Sequence, residues 1–372
     1  MKVIGLDLIA NAPGGDGQPA PSPRERLAEV VANVRLFEEL GFDGFAVGER
    51  HHAPFLSSSP TVLLGHLAAV TSRIRLFTGV TLLSVLDPVR VAEDYATIDH
   101  LSGGRLELII GKGNGPEQTE LFGIERTEAW DTLRENYTLL RQLWSSRSVD
   151  WDPPADAPGI RHSPLRGADV QPRPLQSRIR IWHGSATSPA SVELAARHGD
   201  PIFSANAMNP IEQYAALVRR YREVWAETGR DPADATVGAG HVLHVARTSQ
   251  QAREEYRPAY EAFVAAVSKA DHSLPGTRTD YADYDDYVAR SSALIGSPQE
   301  VLDKLARYHE AFGHTTISIG GHPGQLVRTA WADSLELFRS DVRPVANGFI
   351  GDPAWPVSLA ERRAPVAEAV PA

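Results

Sequence analysis

Eight short, apolar, β-rich runs, each followed by a stretch of helical periodicity, predict an α/β fold, and most specifically a (β/α)8 TIM barrel. Two further observations bear on that choice. The number of runs exceeds what a doubly wound open sheet usually carries, and no self-similarity at a period of roughly 20–50 residues marks a solenoid. The chain has 372 residues, enough for one large barrel with insertions or for two or three domains. The regular alternation favours the barrel.

The elements follow in order. Residues 3–8 form the first apolar run, and a polar Gly/Pro segment covers 11–23. A helix is expected over 24–40, where Leu27, Val30, Val31, Val34, Phe37 and Leu40 recur mostly three or four apart and share a face. Gly41 stands where a helix-ending glycine belongs. Strands are expected at 45–47, 74–82 and 106–110, with helices at 60–71, 88–101 and 127–144. Pro88 sits in the first turn of its helix, a favoured place. From about 145 to 177, many prolines and no sustained period mark an insertion. The pattern resumes with strands at 180–183, 201–204 and 236–245 and helices at 189–198, 210–228 and 250–268. A second insertion, about 269–285, is rich in Asp and Tyr. A helix at 298–312, a strand at 315–319 and a helix at 326–339 close the pattern. The expectation is one barrel domain over 1–345 and a loosely held Pro/Ala-rich tail over 346–372.

Composition narrows the function. Acidic side chains number 47 and basic ones 37, a net charge of −10, which argues against general affinity for nucleic acid or an anionic membrane. No run approaches the roughly 18 apolar residues of a membrane span. The chain has no Cys, which removes disulfides, thiolate metal sites, iron–sulfur clusters and cysteine nucleophiles. Asp7 interrupts the first apolar run too early for a secretory signal, so a cytoplasmic protein is expected.

In a barrel, functional groups collect just beyond the C-terminal ends of the strands. Glu49-Arg50-His51-His52 follows the second strand. A histidine there can serve as a general base, since imidazole titrates near about 6.5; the bland alternative is a solvated loop with a Glu49–Arg50 ion pair. No metal is expected, because adjacent residues of an extended chain point to opposite sides. Gly111-Lys112-Gly113-Asn114-Gly115 lacks the spacing of either standard phosphate loop. Its glycines still allow close approach of a ligand, and Lys112 can meet a phosphate as a point charge; a flexible turn is the alternative. In the segment from Gly184 to Ser191, Ser188 is a candidate cap before Pro189. Free N–H groups, the helix dipole and several hydroxyls favour an anion, whereas plain capping needs only Ser188. Thr78-Gly79-Val80-Thr81 reads as core filling or as a close backbone approach. Asp7, Glu49, Asp87 and Glu107 can supply a glycosidase pair only at separations of roughly 5 or 6.5–9.5 Å. No GxSxG elbow accompanies the many Ser and His residues.

Several blocks in order carry a resemblance. Gly41-Phe42-Asp43-Gly44-Phe45 leads into Gly48-Glu49-Arg50-His51-His52, and Thr71-Ser72-Arg73-Ile74-Arg75-Leu76 leads into Thr78-Gly79-Val80. Asp87-Pro88-Val89-Arg90, Leu101-Ser102-Gly103-Gly104-Arg105-Leu106, Ala195-Ala196-Arg197-His198-Gly199-Asp200 and Ile295-Gly296-Ser297-Pro298 follow. From residue 1 to about 338 the chain resembles the bacterial luciferase-like flavin monooxygenases. Each block is weak alone; their order and spacing are specific for the family, not for a substrate.

The resemblance implies a barrel that uses reduced FMN (FMNH2), made by a separate flavin reductase, and O2 to oxygenate a small organic substrate. It places Lys112 where relatives often carry an Arg on the flavin phosphate, and Ser188 and Ser191 at phosphate-binding hydroxyl positions, with Gly184 in the same loop. Asn114 would help shape the cofactor site. Gly79–Val80 matches a non-proline cis peptide beneath the flavin ring. Relatives commonly read Glu-His-His, with the first His near the flavin. An ungapped alignment puts Arg50 there and a one-residue shift puts His51 there; His51 is the reading adopted. The insertions would form a lid, and the family implies a homodimer. Two alternatives keep the fold: hydride transfer with the deazaflavin F420, and a non-catalytic flavin-binding subunit, which the intervening Arg50 motivates. A carboxylate-pair hydrolase is a third.

Overall fold

A computed structural model describes residues 1–13, 19–113, 115–153, 163–204, 210–269, 281–353 and 355. Its helices start and stop where local chemistry directs. In helix Pro23–Glu39, the Ser22 hydroxyl accepts the Glu25 N–H at 3.3 Å while the Glu25 carboxylate accepts the Ser22 N–H at 2.8 Å, a reciprocal capping box. Asp87 caps helix Pro88–Ser102 through the Val89 N–H at 2.8 Å, and Ser297 caps Pro298–Phe312. Gly103 and Gly199 close their helices with φ of 68° and 67°, a backbone that side-chain-bearing residues rarely adopt.

Eight parallel strands close a barrel. They are β1 (Lys2–Asp7), β2 (Gly44–Val47), β3 (Arg75–Thr78), β4 (Leu106–Gly111), β5 (Ile181–Ser185), β6 (Ile202–Ser204), β7 (Val237–His241) and β8 (Thr316–Gly320). Each pairs with its neighbour in sequence, and β8 returns to β1 with Lys2 opposite Thr316 and Leu6 opposite Gly320. Inside, Ile4, Ala46, Phe77, Ile109, Trp182 and Phe203 pack together. The larger apolar layers lie between strands and helices, which is why the strands read as continuous apolar runs.

Four expectations need correction. The strand expected over 74–82 is broken: β3 stops at Thr78, Gly79–Val80 is a cis peptide, and Thr81–Leu82 then pairs with the end of β4. The strand expected over 236–245 also divides. β7 ends at His241, and Leu243–Val245 leaves the barrel to pair with Leu294–Gly296. That second strand, and helix Tyr284–Arg290 before it, fall where no periodic run was long enough to signal them. The 145–177 insertion contains an antiparallel pair, Val149–Trp151 with Leu165–Ala168. Residues 154–162 of it, and 270–280 of the second insertion, lie outside the described residues.

The tail boundary moves as well. Helix Arg343–Ile350 runs past 345 with Ala346 and Ile350 buried. The terminal amine of Met1 donates to the Asn347 side chain at 2.9 Å, and Lys2 pairs with Asp352 at 3.2 Å. Trp355 lies against Phe77, centroids 5.6 Å apart, with the Arg75 guanidinium over its ring at 5.5 Å. Lys2 and Arg75 begin their strands, so the described tail covers the N-terminal end of the barrel. Its Pro/Ala-rich composition hid the few apolar residues that dock it. Residues 354 and 356–372 lie outside the described residues.

Candidate active site

The opposite, C-terminal end of the barrel collects most of the candidate residues. Beyond β2 the chain passes Gly48, where a Cβ would meet Leu8 Cδ2 at 2.6 Å, and delivers Glu49 into a buried position, 3% exposed. The Glu49 carboxylate accepts the Leu82 N–H at 2.8 Å and lies 3.0 Å from His51 Nε2. One side chain thus ties the end of β2 to the chain just past Gly79–Val80 and orients a histidine. The His51 ring meets Phe122 edge-on at 4.8 Å, just beyond the short helix Pro116–Leu121.

Arg50 and His52 are placed differently. The Arg50 guanidinium lies over the Phe55 ring at 5.3 Å. Burial lowers its pKa, opposed by the charge of Glu117. His52 Nδ1 is 2.9 Å from the Ala53 carbonyl, a contact within its own turn. The Glu49 carboxylate therefore engages both His51 and the Leu82 amide.

Gly79–Val80 has a packing logic. A Cβ on Gly79 would meet Leu6 Cδ1 at 2.6 Å. The Val80 side chain fills the space beside two other glycines: a Cβ on Gly111 or Gly184 would lie 2.9 Å from a Val80 methyl. Gly184 is thus required by Val80 whatever else its loop does.

The loops after β4 and β5 leave side by side, since Ile110 pairs with His183. Lys112 is half-buried, and its Nζ donates to the Gly113 carbonyl at 3.3 Å. Burial, with the nearby positive charge of Arg126, lowers its pKa. Ser84 holds the loop by donating to the Lys112 carbonyl at 2.8 Å. Ser188 occupies the cap position of helix Pro189–His198, yet its side chain makes no capping bond, so plain capping does not account for it. Ser191 is buried, with its hydroxyl 3.3 Å from the Gly184 carbonyl. Asn114 lies outside the described residues.

The acids read as a glycosidase pair are otherwise engaged, and that reading is withdrawn. Asp7 accepts Arg26 at 2.6 Å and the Ile9 N–H at 2.7 Å, and Asp87 caps its helix. Glu107 receives Arg75 at 3.2 Å and the Trp182 indole N–H at 2.7 Å, near the start of β4 and away from the mouth. Sequence reasoning missed Phe122 and Arg126, which no motif or periodicity marks. It also missed Gln118, buried against Gly113 with both amide atoms unpaired. Among the described residues, no group of three or more His, Asp or Glu side chains could hold a metal ion, and no helix is long and apolar enough to cross a membrane.

Fold and site together define a (β/α)8 enzyme whose mouth pairs a carboxylate-held histidine with cationic and hydroxyl-bearing loops. The family model described as luciferase-like monooxygenase matches residues 1–315, and the chain belongs to that family, an oxidoreductase. Limonene 1,2-monooxygenase of Rhodococcus erythropolis is 26% identical over 325 residues, 86% of this chain and 81% of its own. 4-Hydroxyprotoasukamycin monooxygenase of Streptomyces nodosus subsp. asukaensis is 30% identical over 338 residues, 84% of each chain. Among solved structures, monooxygenase RslO1 from Streptomyces bottropensis gives a TM-score of 0.77 at 27% identity over 93% of this chain and 99% of its own. Two more share the fold. The oxygenating constituent of 3,6-diketocamphane monooxygenase from Pseudomonas putida, in complex with FMN, gives 0.71 at 19% identity over 92% and 98% of the two chains. An F420-dependent secondary alcohol dehydrogenase gives 0.69 at 18% over 93% and 99%.

Proposed function

We propose that this chain is the oxygenating component of a two-component, FMN-dependent monooxygenase acting on a small organic substrate with O2. The observation that carries the reading is that half-buried Lys112 and the helix start at Ser188, whose hydroxyl makes no capping bond, follow the ends of two paired strands. A half-buried cation and hydroxyls at a helix start suit a phosphate, so these residues would fit the flavin phosphate. Lys112, Ser188 and Ser191 would hold it, with Val80 as an apolar surface beside them.

Reduced FMN, delivered by a separate flavin reductase, supplies the two electrons needed to activate O2. The chain's residues do the rest. Glu49 fixes the His51 ring, so its other nitrogen can take or give a proton at the reacting centre. Phe55 and Phe122 border that ring and Arg50 with apolar surface, which limits water. The names of the relatives and of RslO1, all monooxygenases, support oxygenation. A second reading, hydride transfer with F420, is favoured by the shared fold of the F420-dependent dehydrogenase. We further infer a cytoplasmic homodimer; light scattering that gave the monomer mass would refute the dimer.

The test is an anaerobic titration with reduced FMN and, in parallel, reduced F420, followed by O2-uptake measurements with candidate substrates. FMN binding that weakens roughly 10- to 150-fold in Lys112→Ala, the value of a lost charge-assisted hydrogen bond, supports the proposal. Binding of F420 alone moves the function to hydride transfer. FMN binding without substrate-dependent O2 uptake assigns a non-catalytic flavin-binding subunit.

A further inference from the structure

At the other end of the barrel, a cavity of about 610 Å³ opens between the last turns of helix Ala129–Ser145 and the chain entering β5. Its volume lies within the roughly 300–1,000 Å³ typical of small-molecule sites. Ile181 begins β5 and Asp200 precedes β6, so roughly 15 Å of strand separates this cavity from the mouth.

The cavity's charge is unbalanced. Arg141, Arg173 and Arg178 line it against a single carboxylate, Asp200. Asp200 is 1% exposed and already shared: it accepts Arg178 at 2.7 Å, Arg141 at 3.0 Å and the Tyr137 hydroxyl, and lies 3.3 Å from His183 Nε2. Burial opposes its ionisation, yet His183 and Arg141 outweigh burial and hold its carboxyl below the ordinary value. Arg173 is committed to the carbonyls of Leu143, Trp144 and Ser146 at the helix end. Among the described residues, Arg141 donates hydrogen bonds only through Nη1 and Arg178 only through Nη2. Each guanidinium carries five N–H donors, so both keep open donors beside the cavity. Half-buried Trp144 and Pro174 give it an apolar wall.

We propose that this cavity is a second ligand site that takes a small organic carboxylate, its charge on Arg141 and Arg178 and its apolar body against Trp144 and Pro174. The guanidinium fork matches a carboxylate. A cation meets repulsion there, and a bare inorganic anion leaves the apolar wall uncovered. The proposal does not depend on the flavin reading.

Isothermal titration with benzoate as the probe tests it, with benzyl alcohol and inorganic phosphate as comparison arms. The expected result is one benzoate per chain, bound more tightly than either comparison. Arg178→Ala should weaken binding roughly tenfold or more, and Lys112→Ala should leave it unchanged. Arg178 is 59% exposed, so the fold should tolerate its loss; if Arg178→Ala fails to fold, Arg178→Lys should give an intermediate loss. Absence of benzoate binding to the wild type overturns the proposal. So does sensitivity to Lys112→Ala alone, which would place the ligand at the mouth. Equal binding of benzyl alcohol, or tighter binding of phosphate, refutes the chemical class. Self-association lost in Arg178→Ala without benzoate binding assigns the face to a protein partner instead.

Discussion

Replacing Glu49 probes the centre of the candidate active site. Its carboxylate is almost wholly buried and serves two groups, the Leu82 N–H at 2.8 Å and His51 Nε2 at 3.0 Å. Glu49→Ala removes a hydrogen bond to a charged acceptor, worth about 1.5–3 kcal/mol, and leaves a backbone N–H buried without an acceptor, a penalty of about 1–3 kcal/mol. The two overlap, so the expected loss of stability is about 2–4 kcal/mol. Glu49→Gln keeps an oxygen for the Leu82 N–H but no second acceptor, and should cost about 1 kcal/mol. Urea unfolding reads both through the shift in midpoint at unchanged slope. Both variants free His51 from its carboxylate partner; on the FMN reading proposed above, turnover should fall at least tenfold at saturating reduced FMN, while FMN affinity stays within about threefold. A Glu49→Ala protein within about 0.5 kcal/mol of wild type, the range of ordinary surface substitutions, would refute the view that Glu49 ties β2 to the chain beyond Val80.

Three other perturbations have definite expected outcomes. Gly184→Ala puts a methyl 2.9 Å from Val80 Cγ1 and 3.2 Å from the Ile110 carbonyl; it should destabilise by about 1–3 kcal/mol, and Val80→Ala in the same chain should recover part of that loss in a double-mutant cycle. His241 is buried, with Nδ1 2.7 Å from the Ser292 carbonyl and Nε2 unpaired, and burial pushes its imidazole down to about 4. The unfolded ring protonates near 6.5, so stability is full above that pH and falls as pH drops toward 4. The slope is about 1.4 kcal/mol per pH unit, about 3 kcal/mol in all. Buried His314, also lowered by desolvation, adds the same sign. Urea midpoints across pH 4–7 should flatten in His241→Asn, and an unchanged profile would exclude His241 as a source. Trp355→Ala should cost about 1–3 kcal/mol by uncovering Phe77 and Arg75; wild-type stability would show that the tail does not hold the barrel end.

Much of the barrel was legible because its signals are local. Pro88 opens its helix and Gly41, with φ of 71°, follows the end of another, as their places in the sequence predict. Each signal acts within about one turn. The apolar runs of β1, β4 and β8 were equally plain, because strands covered on both faces need little else. The break at Gly79–Val80 was not legible as a break, since an apolar residue in an irregular bend has the same composition as one in a strand. The departure of Leu243–Val245 was hidden likewise, because its partner Leu294–Gly296 lies far along the chain.

The same division runs through the site. Sequence alone determined the eightfold alternation, and it singled out the stretches carrying Glu49, His51, Lys112 and Ser188, because barrel geometry sends strand ends to one face. Tertiary structure decided which neighbour Glu49 holds, that Val80 fills the space beside Gly111 and Gly184, that Glu107 faces Arg75 and Trp182 away from the mouth, and that Trp355 docks on the opposite end. Each of those outcomes depends on side chains from distant segments competing for one volume or one hydrogen bond, and only the assembled barrel sets that competition.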